Sequence, residues 1–117
     1  NKEEDGPNIE VSPAALPVEI RSNGTSFSSF IITNNGKQQI DVEMPDRMDG
    51  IEEKGVSDFK FFPDSLQIKP GEKTRVVLQQ THVDGSAYGD IVFEALVNAE
   101  NLSADQKTLN IVTVGGS

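Results

Sequence analysis

The chain has 117 residues, the size of a single domain with one modest core. Its 19 acidic residues outnumber 10 Lys and Arg and give a net charge of −9, so we expect neither nucleic acid nor an anionic membrane surface as a partner, since both attract clustered cations. The absence of cysteine excludes disulfides and thiolate metal sites, and no apolar run reaches the ~18 residues that membrane insertion requires.

The first residues predict an interrupted edge strand. Residues 1–7 are a charged lead-in that we expect to be mobile, like an interdomain linker or a mature N-terminus. Residues 8–11 alternate apolar and polar side chains. Pro13 and Pro17 then restrict pairing, as proline does at the edges of sheets.

Two clearer strands follow, with a turn dipeptide between them. Residues 26–34 are the strongest strand prediction, and Asn35-Gly36 is typical of a β-hairpin. Residues 38–44 alternate cleanly, which predicts an inward-facing row formed by Ile40, Val42 and Met44. A register slip of one residue would bury the acids between them, so the pattern specifies its own pairing.

Residues 45–57 form a polar stretch that is long for a loop in a compact domain. Apolar Met48 and Ile51 lie among its acids, which are Asp46, Asp49, Glu52 and Glu53. We expect a solvated surface loop. Calcium coordination is the alternative, because Ca²⁺ takes oxygen ligands, but the spacing does not match an EF-hand and we predict no metal site.

The segment 59–80 predicts strand, tight turn and strand. An aromatic run precedes a short apolar strand at 66–68, and a second strand covers 74–78. Pro70-Gly71 lies between them, where Pro fixes φ at the first corner position and Gly tolerates positive φ at the second.

The last strands are predicted at residues 88–98 and 109–114. Asp84 stands four residues before Tyr88, which resembles a tyrosine corner whose hydroxyl bonds to upstream backbone; a simple exposed tyrosine is the alternative. About seven or eight short strands with turn residues roughly every 8–12 positions indicate an all-β sandwich of two antiparallel sheets. We assign it to residues 8–114, with a tail at 115–117.

Three segments resemble one branch of immunoglobulin-like sandwiches, the pilus-chaperone-like and major-sperm-protein-like group. Residues 30–36 resemble its second strand and following turn, residues 62–72 the segment leading into its Pro-Gly turn, and residues 85–92 its sixth strand. The resemblance implies an immunoglobulin-like fold and a role as an interaction module, such as a pilus-subunit chaperone, a cytoskeletal polymer subunit or an accessory domain. Fimbrial chaperones differ from this sequence in two ways. They have a second sandwich domain, and they have basic subunit-anchoring residues that have no convincing counterpart near residues 14–16 or in residues 109–114.

The sequence offers little for catalysis. His82 is the only histidine, and we expect it in an exposed loop. No Gly-x-Ser-x-Gly elbow or phosphate-binding loop is present. We therefore predict no catalytic residue, no cofactor and no bound small molecule.

The aromatic cluster at 59–62 supports two interpretations. In a strand, Phe59 and Phe61 share one face and Phe62 points the opposite way. Either Phe62 or the Phe59/Phe61 pair fills the core, with the long loop covering the remainder, or the cluster forms an exposed apolar strip for a partner. The residues that we select as candidate partner contacts are Phe59, Phe61, Met48 and Ile51.

These observations lead to a functional hypothesis. We expect a non-catalytic structural or protein-interaction module of a larger extracytoplasmic protein, periplasmic or at the cell surface, that binds a protein partner or neighbouring domains of its own chain. The alternative is a chaperone-like domain that holds its partner by β-strand addition. A carbohydrate-binding module ranks lower, since those generally present aromatic faces and this chain has no Trp and one Tyr.

Overall fold

The computed structural model describes residues 8–21, 23–85, 89–100 and 107–115. Within these ranges the chain forms two short 3₁₀ helices, Ile51–Lys54 and Val83–Gly85. The same ranges contain nine strands: β1 Ile9–Ser12, β2 Ala15–Pro17, β3 Thr25–Asn34, β4 Ile40–Glu43, β5 Val56–Phe62, β6 Ser65–Ile68, β7 Lys73–His82, β8 Ile91–Asn98 and β9 Thr108–Val114. No helix in this part of the chain has the length and apolarity needed to cross a bilayer.

The strands form a four-stranded sheet, in the order β1-β3-β7-β5, and a five-stranded sheet, in the order β2-β9-β8-β4-β6. This confirms the predicted all-β, immunoglobulin-like sandwich. The described residues contain nine strands, close to the seven or eight predicted. The sheets are mostly antiparallel, and β2 pairs with β9 in parallel.

The extra strands arise because two edge segments change sheets. The first runs beside β3 as β1 and then beside β9 as β2. The second runs beside β7 as β5 and then beside β4 as β6. Each change occurs at a cis proline, Pro13 in the first segment and Pro63 in the second. Proline has no backbone donor to offer a sheet, so it suits a position where pairing stops.

The core lies between the sheets and is built by alternation along the strands. The inward row predicted at Ile40, Val42 and Met44 is buried. The inward row of β8 is buried as well: Ile91, Phe93, Ala95 and Val97. Opposite strand faces therefore divide cleanly into core and solvent, as expected for a sandwich.

The two predicted turns do not close hairpins. Asn35-Gly36 follows β3 of one sheet and leads to β4 of the other, and Pro70-Gly71 likewise joins β6 to β7. The Asn-Gly prediction was wrong because a local dipeptide cannot specify which sheet the next strand joins. Both corners meet at Asn34, whose buried side chain donates from Nδ2 to the carbonyls of Gln38 at 2.8 Å and Ile68 at 2.9 Å.

The stretch 45–57 is less irregular than predicted. A 3₁₀ turn begins after Gly50 and ends at Gly55, and both glycines have positive φ. Ile51 from this turn is buried in the core. Strand β5 then starts at Val56, earlier than the aromatic run alone indicated.

Candidate protein-binding surfaces

The structure buries most of the residues selected as partner contacts. Phe59 and Phe61 lie in the core, where their ring centroids approach that of Phe93 at 4.9 and 5.4 Å. Ile51 is buried beside them, and half-buried Met48 packs against the same cluster. The core-filling interpretation of the aromatic pair is therefore the observed one, because β5 and β8 bring three rings together. A partner role for these four residues stays a prediction.

Phe62 is the member of the aromatic cluster that reaches solvent. It points away from Phe59 and Phe61 and is 49% exposed. Across the sheet it lies opposite Val77 of β7. Together with Phe27 of β3, also exposed, it belongs to the outward surface of the four-stranded sheet, called here the four-stranded face.

The opposite outward surface, called here the five-stranded face, also exposes large apolar side chains. Leu96 is 56% exposed and Val92 is 44% exposed, both on the central strand β8. Val92 lies opposite Val112 of β9, and Leu96 lies opposite Glu43 of β4. Apolar side chains therefore occupy the middle of this face.

Leu96 separates two clefts on the five-stranded face. The first has a volume of about 540 Å³, and its walls include Glu43, Asp46, Asp64 and Glu94. The second has a volume of about 640 Å³ and runs over β4 and β6 past Leu66, Gln67 and Asn98. Both contain Leu96 and Glu43, so a bound segment could contact the leucine and carboxylates together.

A third cleft lies beside β5, at the edge of the four-stranded sheet. Its volume is about 460 Å³, and Pro45, Lys60, Phe62 and Pro63 contribute to its walls. Among the described residues, strand β5 pairs with β7 alone, so within this part of the chain its other side is an open edge of seven residues. An open edge can accept an added strand.

His82 does not lie in an exposed loop, and that prediction was wrong. It is the last residue of β7, it is 6% exposed, and its Nε2 is 2.9 Å from Oγ of Ser26, which is 1% exposed. The sequence did not predict this pair because Ser26 and His82 become neighbours only through the register of β3 against β7. A serine and a histidine at this distance resemble the start of a catalytic triad, but both are closed off from solvent, and none of the clefts above includes either residue.

The acidic stretch does not assemble a metal centre in the part of the chain that is described. Among those residues, no three His, Asp or Glu side chains converge as ligands for an ion. Asp46 lines the first cleft, whereas Glu52 and Glu53 belong to the 3₁₀ turn. The tyrosine-corner interpretation of Tyr88 falls outside the described residues.

The strand order, with edge strands that cross from one sheet to the other, defines an immunoglobulin-like sandwich. No protein-family model matches the chain. A search of curated proteins finds no match either.

Solved structures match the domain over most of its length. The MSP-domain-like protein SSP-19 of Caenorhabditis elegans has a TM-score of 0.63 at 14% identity, covering 92% of this chain and 98% of that one. The PapD-like domain 7 of human CEP192 has a TM-score of 0.59 at 14% identity, covering 90% and 81%. The YadV chaperone has a TM-score of 0.55 at 16% identity, covering 90% of this chain and 49% of the chaperone. At these identities the similarity shows the fold alone.

Proposed function

We propose that this domain is a non-catalytic protein-interaction module of a larger extracytoplasmic protein, and that it binds its partner on the five-stranded face. The observation that carries the proposal is the exposure of Leu96 and Val92 on a central strand, with a cleft on each side of Leu96. Single exposed leucines are common on protein surfaces. Here the leucine projects between two concavities, which gives a partner side chain both an apolar contact and a place to lie.

Burial of the exposed part of Leu96 would contribute measurably to the binding free energy of a weak interaction. Full burial of a leucine side chain is worth about 1.5–3 kcal/mol, so covering the exposed half gives about 1 kcal/mol. Val92 and Val112 lie side by side further along the face and add a second apolar contact. A few such contacts, with hydrogen bonds at the rim, are typical of weak and transient interfaces.

The absence of catalysis is part of the proposal. Ser26 and His82 are enclosed between the sheets, so a substrate cannot reach the hydroxyl without opening the core. The hydroxyl and the imidazole instead satisfy each other, which buried polar groups require. The fold similarity to PapD-like and MSP-like domains, which are not catalytic, agrees with this role.

Strand addition at β5 is the second candidate. Its support is the open seven-residue edge and the cleft beside Phe62. Two features of β5 weaken it. The strand has an irregular register between Val56 and Asp58, and it carries Lys60 at mid-strand. Bulges and lysines are devices by which edge strands avoid pairing with other chains.

One selection experiment separates the two candidates. A random-peptide display library is selected on the wild-type chain, and the recovered binders are tested against Leu96→Ser and Phe62→Ser. These variants remove exposed apolar side chains of similar exposure from opposite faces, so each is the matched control of the other. We expect most binders to lose affinity with Leu96→Ser and to keep it with Phe62→Ser. The reverse dependence would favour the β5 edge, and binders indifferent to both changes would refute the proposal.

The extracytoplasmic location rests on the resemblance to pilus chaperones in the sequence. An antibody raised against residues 1–117 would detect the parent protein in periplasmic, surface or secreted fractions of the source cells. Detection in the cytosolic fraction alone would contradict the location and leave the binding surface unaffected.

A further inference from the structure

The two outward faces of the sandwich differ in charge as well as in shape. The strand residues that point outward on the five-stranded face include three acids and no Lys or Arg; the acids are Asp41, Glu43 and Glu94. The four-stranded face has a mixed set in which cations prevail: Lys60, Lys73 and Arg75 with Glu10 and Asp58. Exposed apolar side chains are thus bordered by anions on one face and mainly by cations on the other.

We propose that the partner segment that binds the five-stranded face is basic and aliphatic, with Lys or Arg next to an apolar side chain seated on Leu96. This inference rests on the proposed function, since it specifies the partner of the same surface. It adds a chemical class that the exposure of Leu96 alone does not define.

The carboxylates on this face are available to a partner. Within the described residues, the carboxylates of Asp41, Glu43 and Glu94 form no hydrogen bond or ion pair. Glu43 lies directly opposite Leu96, and Glu94 is two residues before Leu96 on the same strand face. Among the described residues in the wall of the first cleft, Arg47 is the one cation and is outnumbered by four acids. A cationic side chain placed beside Leu96 therefore meets carboxylates that have no competing partner among the described residues.

The spacing of the face suggests how such a segment would be patterned. Val92, Glu94 and Leu96 are alternate residues of one strand, so they follow one another at about 6.8 Å. An extended segment repeats its own side chains at the same interval. A pattern of apolar, cationic and apolar residues at every second position would therefore match this face residue by residue.

The charge of the whole domain favours the same partner. A net charge of −9 attracts a basic segment from a distance and raises its association rate, an effect that salt screens. A second copy of this chain could offer the cations of its four-stranded face, but two bodies of charge −9 repel each other at long range. A basic partner is therefore favoured over self-association.

The test uses the peptides from the selection described above that depend on Leu96. We expect Lys and Arg to outnumber Asp and Glu in them, and we expect binding to weaken by about tenfold when NaCl is raised from about 0.05 to about 0.5 M. The double change Glu43→Lys with Glu94→Lys should weaken binding by about tenfold or more. The matched control, Glu10→Lys with Asp58→Lys on the four-stranded face, changes the net charge equally. Its affinity should stay within about twofold of that of the wild-type chain.

The outcomes of this test distinguish failure of the inference from failure of the proposed binding surface. Leu96-dependent binders that are neutral or acidic, or equal effects of the two double changes, would overturn the inference while the binding surface itself stands. A complete lack of Leu96-dependent binders would overturn both proposals. Sedimentation of the wild-type chain as a dimer that Leu96→Ser dissociates would identify a second copy as the occupant and would also overturn the inference.

Discussion

Replacing Asn34 by alanine removes three side-chain hydrogen bonds from the point where the two corners of the sandwich meet. Nδ2 donates to the carbonyls of Gln38 and Ile68, and Oδ1 accepts from the backbone N–H of Gly36 at 3.0 Å. The carbonyl of Ile68 lies in the interior and would lose this donor, at a cost of about 1–3 kcal/mol. The other two groups are part-buried and would cost about 1 kcal/mol each.

The expected loss of stability is therefore about 3–5 kcal/mol, a large share of the roughly 5–15 kcal/mol that holds a domain together. In a domain of this size it should lower Tm by about 10–20 °C. Urea unfolding followed by circular dichroism would measure it. Asn34→Asp should cost at least as much, because an oxygen would then face both carbonyls.

Asn35→Ala is the matched control. Asn35 is exposed, and its side chain donates one long hydrogen bond of 3.3 Å to Glu10. Its loss should cost less than about 1 kcal/mol. If Asn34→Ala proved as mild as Asn35→Ala, the corners would not be held by this side chain and the reasoning would be wrong.

Three further predictions follow from contacts in the core and at the corners. Phe61→Ala should destabilise the domain by about 3–5 kcal/mol in urea unfolding, because it opens a cavity between the sheets. As the control, Phe62→Ala on the surface should change stability by about 0.5 kcal/mol or less. Equal effects would contradict the assignment of the core. Gly71→Ala should cost about 1–2 kcal/mol from backbone strain alone, since φ is +82° and an added Cβ would meet no atom within 4 Å; a neutral result would show that the corner relaxes. Ser26→Ala should lower stability by about 1–3 kcal/mol, because it removes a hydrogen-bond partner of His82. The wild-type chain and this variant should hydrolyse p-nitrophenyl acetate at the same background rate. A lower rate in the variant would reveal a catalytic serine.

The sequence was a good guide to which face of each strand is buried. Alternation placed Ile40, Val42 and Met44 inward, and the structure agrees. Such rows are predictable because burial on one face of a strand constrains every second residue. The fold class followed from the number and spacing of these rows.

Connections between sheets were harder to predict. Asn35-Gly36 is a strong hairpin dipeptide, yet here it begins a crossing to the other sheet. The decisive interaction is the one between Asn34 and Ile68, residues 34 positions apart in sequence. Local turn chemistry does not contain that information.

The candidate surface was missed for a related reason. Phe59 and Phe61 attracted attention as an aromatic pair, but aromatic rings indicate a core as readily as an interface. Leu96 is an ordinary member of the apolar strand predicted at 88–98, and only the sheet order places it opposite Glu43 and beside the clefts. The Ser26–His82 pair likewise depends on the register of β3 against β7.

The most direct test of the binding surface is to titrate the ¹⁵N-labelled chain with a peptide that depends on Leu96 for binding and to map the amide shifts by NMR. We predict that the largest shifts lie on β4, β6 and β8, around Glu43 and Leu96. Shifts concentrated on β5 or around Phe27 and Phe62 of the four-stranded face would contradict the account.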